Sequence, residues 1–197
     1  MKPLRLLDSV AVPLAGANTD TDQIVPARYL QKPRSCDFGE FLFHDVRRSA
    51  DGSPRADFAL NDPAYAGAAI LVAGRNFGCG SSREHAVWAL MDGGFRAVIA
   101  PGFGDIFHTN ALKNGLLPVR LDESTVDALR KGLQAAPGSR VTLDLAAQVI
   151  RLPDGSSKDF AVEAFARHCL LEGLDELDYT LSQMDRILAF EREHRAA

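Results

Sequence analysis

Apolar residues recur along this chain in two rhythms. Positions 4–14 alternate loosely and are rich in Val and Leu, which predicts a strand. Short apolar runs at Ala69 to Ala73, Ala97 to Ala100 and Leu116 to Leu121 predict three more. Helical spacing fills the gaps between those runs, at 82–92 and 104–114. Strands alternating with helices of this length imply parallel pairing through right-handed crossovers. A further helix opens at Asp122 and runs to about 135. Val141 to Leu145 and Gln148 to Leu152 predict a hairpin, closed off by the turn Pro153-Asp154-Gly155.

The ends and the excursions are less regular. Asn18-Thr19-Asp20-Thr21-Asp22 predicts a turn that caps a helix-like stretch at 24–30. A basic loop follows at 31–37, then helical spacing at Phe38, Phe41, Leu42 and Val46. Residues 49–64 hold Gly, Pro, Asp and Asn and predict a surface excursion. Residues 160–171 and about 175–194 predict amphipathic helices, the second with Leu177, Leu181, Ile187, Leu188 and Phe190 on its apolar side. The expected fold class is α/β: one domain over 1–197, with mostly parallel central strands and a helical tail at about 160–194.

Composition narrows the function. An apolar share of 46% suffices for a real core. A net charge of −4 and a pI near 5.7 are unlike a nucleic-acid footprint. No run is long enough to span a membrane, and no secretory signal is visible, so a cytoplasmic protein is expected. Cys36, Cys79 and Cys169 are far apart, which argues against a disulfide framework and against a zinc or iron–sulfur site built by this chain.

The densest chemistry lies in Gly74-Arg75-Asn76-Phe77-Gly78-Cys79-Gly80-Ser81-Ser82-Arg83-Glu84-His85. A strand feeds this glycine-rich loop and the loop opens a helix, the usual build of an anion site. It is not a P-loop, because Ser81 stands where a lysine would follow Gly80. It is not a dinucleotide fingerprint either, because Arg83 occupies the place of the third glycine. The hydrolase elbow is absent. Ser81-Ser82-Arg83-Glu84 also fits a capping box, but a cap explains neither the three glycines nor Arg75 and Arg83. Close approach of a small anion does. Could Ser81 act as a base? A helix end supplies at most about 2 kcal/mol, which is about one to two pKa units. Arg83, further N–H donors and exclusion of water must supply the rest. His85 and Cys79 lack the partners of a metal site, so packing is the expected role of His85. Asp20 and Asp22 are expected to serve the turn and cap rather than bind a cation.

Asn76 to His85 resembles the signature of the swivelling domain of the aconitase superfamily. Asn18 to Pro26, Ile99 to Phe107 and Asn114-Gly115-Leu116-Leu117-Pro118 match as well. The ending Glu172-Gly173-Leu174-Asp175 resembles the stand-alone form of that domain, found in small subunits of 3-isopropylmalate dehydratases. The resemblance implies a swivelling β/β/α domain. It implies dehydration of 2-isopropylmalate and rehydration to 3-isopropylmalate, in leucine biosynthesis. It also implies a heterodimer, whose large subunit carries a [4Fe–4S] cluster; no cofactor is expected on this chain. Carried over by motif, Ser81 is the general base. Arg83, catalytic with it, and Ser82 bind a substrate carboxylate and stabilise the base; Gly80 and Arg75 are further substrate-binding candidates. Tyr29 and Leu30 open the specificity loop, where Lys32 and Arg34 are candidates for a distal carboxylate. Homoaconitate, citramalate or methylmalate-type acids remain open as substrates, as does a non-catalytic anion-binding regulatory domain.

Overall fold

The computed structural model describes residues 1–194. Leu6–Pro13 forms β1, and Asp20 then starts α1 (Thr21–Ile24). Its carboxylate accepts from the Gln23 amide at 2.8 Å, and the Gln23 side chain accepts from the Asp20 amide at 3.2 Å. The helix expected at 24–30 therefore begins earlier and is broken: Pro26 interrupts it, and Ala27–Tyr29 is a single 3₁₀ turn. Residues 38–47 are likewise split. Phe38–Phe41 is 3₁₀ and His44–Arg47 is a short α2, with Phe43 left-handed between them at φ 53°.

The regular core follows as β2 (Ile70–Val72), α3 (His85–Asp92), β3 (Ala97–Ala100), α4 (Asp105–Asn114), β4 (Leu117–Arg120) and α5 (Glu123–Ala135). Then come β5 (Arg140–Asp144), β6 (Val149–Arg151) and β7 (Ser157–Asp159). The strands make one sheet in the order β4-β3-β2-β1-β5-β6-β7. Pairing from β1 through β4 is parallel, and β5, β6 and β7 join antiparallel. The sequence gives no sign of β7. Its Ser-Lys-Asp is exposed throughout, so it has no buried face to leave an apolar imprint. Charge on such an edge also discourages further strand addition.

Alternation along the parallel strands sorts their side chains to two faces. Leu71, Val98 and Ala100 point into one core with Ile24, Phe38, Val87, Leu90 and Phe107. Ile70, Val72, Ala97 and Ile99 point into the other with Val126, Leu129, Leu133 and Leu170. Both faces are covered, which is why the strands read as continuous apolar runs. The chain ends in α6 (Ala164–Glu172), α7 (Glu176–Ser182) and α8 (Met184–His194). Phe160, assigned to a helix by its spacing, instead sits buried ahead of α6, whose first amides are capped by the Glu163 carboxylate.

Ile99 is fully buried in the middle of the parallel ladder. Ile99→Ala is expected to cost about 2–5 kcal/mol, read as a lower urea midpoint at unchanged slope.

Candidate active site

The C-terminal ends of β1, β2 and β3 release three loops, and backbone hydrogen bonds lace these together. Gly78 donates to the Thr19 carbonyl at 2.8 Å and Thr21 to the Cys79 carbonyl at 2.9 Å. Asn18 donates to the Arg75 carbonyl at 2.9 Å, and the Asn76 side chain to that of Asn18 at 3.0 Å. On the other flank Phe77 donates to Gly102 at 3.0 Å and receives from Gly104 at 2.9 Å. These bonds continue the parallel pairing past the strands, so the loop is built like a fourth layer of rungs rather than a free lid.

The glycines serve this lacing. A Cβ on Gly74 would lie 2.1 Å from the Gly16 carbonyl oxygen. One on Gly78, whose φ is +71°, would lie 2.2 Å from the Phe107 ring. The expectation that the glycines admit an anion is corrected at both positions: protein atoms fill the space. Gly80 alone is open, its nearest approach being 3.4 Å to Asp20, and its φ of +92° is what demands glycine there.

Ser81 and Ser82 are exposed, and α3 starts only at His85. The Ser81–Glu84 capping box does not form: the cap residue is Glu84, with no side-chain bond to the helix. Glu84 instead accepts from Asn114 Nδ2 at 2.7 Å, and Trp88 Nε1 donates to Asn114 Oδ1 at 3.2 Å. The Ser81 carbonyl is fixed by the Thr21 hydroxyl at 3.1 Å and by the Arg83 amide at 2.8 Å. Its backbone is therefore held while its hydroxyl faces solvent. Lying four residues before α3, Ser81 receives less from the helix end than a first-turn residue would.

Arg83 is the most enclosed cation of the loop, its side chain 16% exposed, and it is paired with the Asp22 carboxylate. Asp22 also accepts from the Ala27 amide at 3.1 Å. The Arg83 guanidinium beside it holds its carboxyl below the usual carboxylate range, so Asp22 is ionised at neutral pH. The sequence assigned Asp22 only to a turn. The spacing carried no signal for its role, because sixty-one residues separate it from Arg83. Arg75 lies on the rim, exposed, with Glu123 at 3.8 Å.

The loop expected to choose the substrate runs beside α3. His85 packs against Phe38 and Trp88, with ring centroids at 5.4 and 4.5 Å, near the Leu30 backbone. Burial pushes its pKa down. Tyr29 stacks on Phe41, with ring centroids at 4.2 Å. Arg34 is clamped: both terminal nitrogens reach Asp92, at 2.9 and 3.0 Å, and its guanidinium lies over Trp88 at 5.2 Å. Lys32 is exposed. Among the described residues no group of His, Cys, Asp or Glu could hold a metal ion, and the Cys79 thiol is pushed up by burial. A groove of about 400 Å³ between α5 and the β6–β7 hairpin contains none of the loop residues. No helix among the described residues is long and apolar enough to cross a membrane.

The chain is similar to known proteins in sequence and fold. The family model for the aconitase C-terminal domain matches residues 1–124, and the LeuD_N model matches residues 127–164. A 3-isopropylmalate dehydratase small subunit of Anaeromyxobacter dehalogenans is 53% identical over 195 residues, 99% of this chain and 100% of the relative. Its counterpart in Chloroflexus aurantiacus is 50% identical over 194 residues, 98% of this chain and 96% of the relative. A crystal structure of 3-isopropylmalate dehydratase from Methanocaldococcus jannaschii has a TM-score of 0.66 at 25% identity, covering 94% of this chain and 99% of its own.

Two outcomes are expected. Gly78→Ala meets both the Phe107 ring and a left-handed backbone, whereas Gly80→Ala meets only the backbone, worth about 1–2 kcal/mol. Gly78→Ala should therefore lower the thermal midpoint more than Gly80→Ala. The second concerns His85 and His108, both held below their ordinary pKa, first by burial; for His108 the Arg120 charge adds to it. Between the folded pKa and the unfolded value of about 6.5 the unfolded chain binds more protons. Their contribution to stability is thus complete above that value and is lost as pH falls through the folded pKa. Urea midpoints from about pH 7.5 down to about pH 5 should decline, and the decline should flatten in the His85→Gln/His108→Gln variant.

Proposed function

This chain belongs to the aconitase C-terminal-domain family, among the small subunits of 3-isopropylmalate dehydratase, and from that premise we propose that the Ser81 loop carries its half of the active site. The family activity is that of a hydro-lyase in leucine biosynthesis, interconverting 2-isopropylmalate and 3-isopropylmalate through 2-isopropylmaleate, and a small subunit works with a large one. The observation that carries the site reading is an exposed serine on a fixed backbone, two residues from a paired, largely enclosed arginine.

In this reading Ser81 Oγ, as the alkoxide, takes the proton from the carbon next to the hydroxyl-bearing one, whose C–O bond breaks with its electron pair so that hydroxide leaves to a Lewis acid that the large subunit would supply. On rehydration hydroxide adds to the carbon that lost its proton, and Ser81 returns its proton to the other carbon, restoring the alkoxide. The arginine–carboxylate pair sets the geometry. Asp22 holds Arg83 so that its remaining N–H donors meet a substrate carboxylate without first being ordered. Ser82 and the open Gly80 backbone face the same carboxylate. Leu30 and Tyr29 border the part of the site nearest α3 and read the substrate's side chain. The clamp on Arg34 makes it a support for that loop, and exposed Lys32 the cation left there for a distal carboxylate or for steering anions. Arg75 contributes charge at the rim.

The side chains described here do not fit an iron–sulfur cluster, so a [4Fe–4S] cluster belongs to the large subunit in this reading. The active enzyme is then a heterodimer acting in the cytoplasm. Closing the two subunits over Ser81 would exclude water, the contribution that a distant helix end cannot make.

The test is a reconstituted complex assayed anaerobically on isopropylmalate, citramalate and homoaconitate. Isopropylmalate is expected to be the preferred substrate, and this chain alone should give no turnover. Ser81→Ala should lower kcat about 100-fold or more. A loss under tenfold would remove the base assignment and leave the loop as a non-catalytic anion site.

A further inference from the structure

The C-terminal helices α7 and α8 contain no buried residue. Leu177 and Leu181, four apart, and Met184 and Leu188, four apart, are exposed together with Phe190, which is 61% exposed. These five form the greater part of the large apolar side chains that the described surface exposes. Yet the pattern is that of an amphipathic pair, and such a face is stable in water only when something covers it. The tail is anchored at its start: Tyr179 meets Phe165 edge-on at 4.8 Å, and Glu176 pairs with Lys113 at 3.0 Å. Beside that anchor Met1, Leu112, Phe165, Cys169 and Leu174 line an apolar groove of about 240 Å³. The apolar surface therefore continues from the body of the protein onto the tail.

Charge identifies what covers it. Between 175 and 194 six carboxylates stand against two arginines, leaving −4, which is the formal net charge of the whole chain. Residues 1–174 carry only −1, 19 Lys and Arg against 20 Asp and Glu. A second copy would bring two tails of like charge together, a disfavoured match at moderate salt. A surface that is apolar in the middle and rimmed by Lys and Arg would satisfy both features.

We propose that α7 and α8 form a docking arm whose exposed apolar face seats in an apolar groove with a basic rim on the large subunit. This rests on the reading of the chain as a dehydratase small subunit, and it assigns the tail to assembly rather than to the site. The arm is tied to the body at α6 and Lys113, so it holds the partner without contributing to the Ser81 loop.

The experiment titrates full-length chain against cluster-loaded large subunit, following both binding and isopropylmalate turnover. In the Leu177→Asp/Leu181→Asp/Phe190→Asp variant, affinity should fall about tenfold or more. Turnover at saturating small subunit should be unchanged, because no residue of the Ser81 loop is altered. Should that variant fail to fold, Asp185→Lys/Glu193→Lys keeps the apolar face; it should bind more weakly and show a shallower loss of affinity with salt. Affinity within threefold of the parent in whichever variant folds overturns the proposal while leaving the site reading intact. A change in self-association with partner affinity unchanged assigns the face to a second copy and also overturns it. If the unmodified chain neither binds the large subunit nor supports turnover, the functional reading fails, and the arm fails with it.

Discussion

Two loops that leave neighbouring parallel strands are locked to each other by reciprocal backbone bonds, Gly78 to Thr19 and Thr21 to Cys79. The rest of the site depends on this lock. It carries the β1–β2 pairing beyond the sheet and thereby fixes where Ser81 and Asp22 stand relative to one another. Its cost is steric at Gly74, where the Gly16 backbone leaves no room for a side chain, while at Gly78 the Phe107 ring fills that room. Gly74 is thus a consequence of loop meeting loop and Gly78 of loop meeting α4, and of the three only Gly80 keeps an open side.

Electrostatics follow from the same lock. With Thr21 bound to Cys79, α1 begins beside the serine loop, and Asp22 on its first turn reaches Arg83. A partly enclosed ion pair of this kind does little for stability when one member is solvated. Its value is orientation, since a guanidinium already held on one edge presents its other donors at fixed angles. The helix end, by contrast, is displaced from Ser81, because Glu84 rather than Ser81 caps α3 and is bound to Asn114. Stabilisation of negative charge at Ser81 falls to Arg83, to loop amides and to a low-dielectric enclosure.

The tail shows the opposite logic. The body of the protein buries both faces of its sheet and is close to neutral, whereas α7 and α8 bury nothing and carry most of the net negative charge. Local signals are nevertheless strong there. Asp175 and Asp178 make a reciprocal cap at the start of α7, with the Asp178 amide 2.7 Å from the Asp175 carboxylate. Such helices are shaped by local sequence and stabilised by what they meet.

Much of this was legible in the residues. The apolar runs at β2, β3 and β4 were read correctly because a strand covered on both faces must be apolar throughout. The caps at Asp20 and Asp122 are local chemistry, and the motif from Asn76 to His85 carried the family resemblance. What the sequence could not hold was anything decided between distant segments. β7 has no apolar imprint because it is an edge strand exposed on every residue. The Ser81–Glu84 cap was plausible locally but lost to Asn114, thirty residues away. Arg34 read as a free cation until Asp92 and Trp88 came beside it. Asp22 read as a turn residue until the lacing of two loops set it against Arg83. Local propensity and periodicity determine which elements form; only the packed sheet, by bringing the strand ends side by side, decides which polar groups face each other.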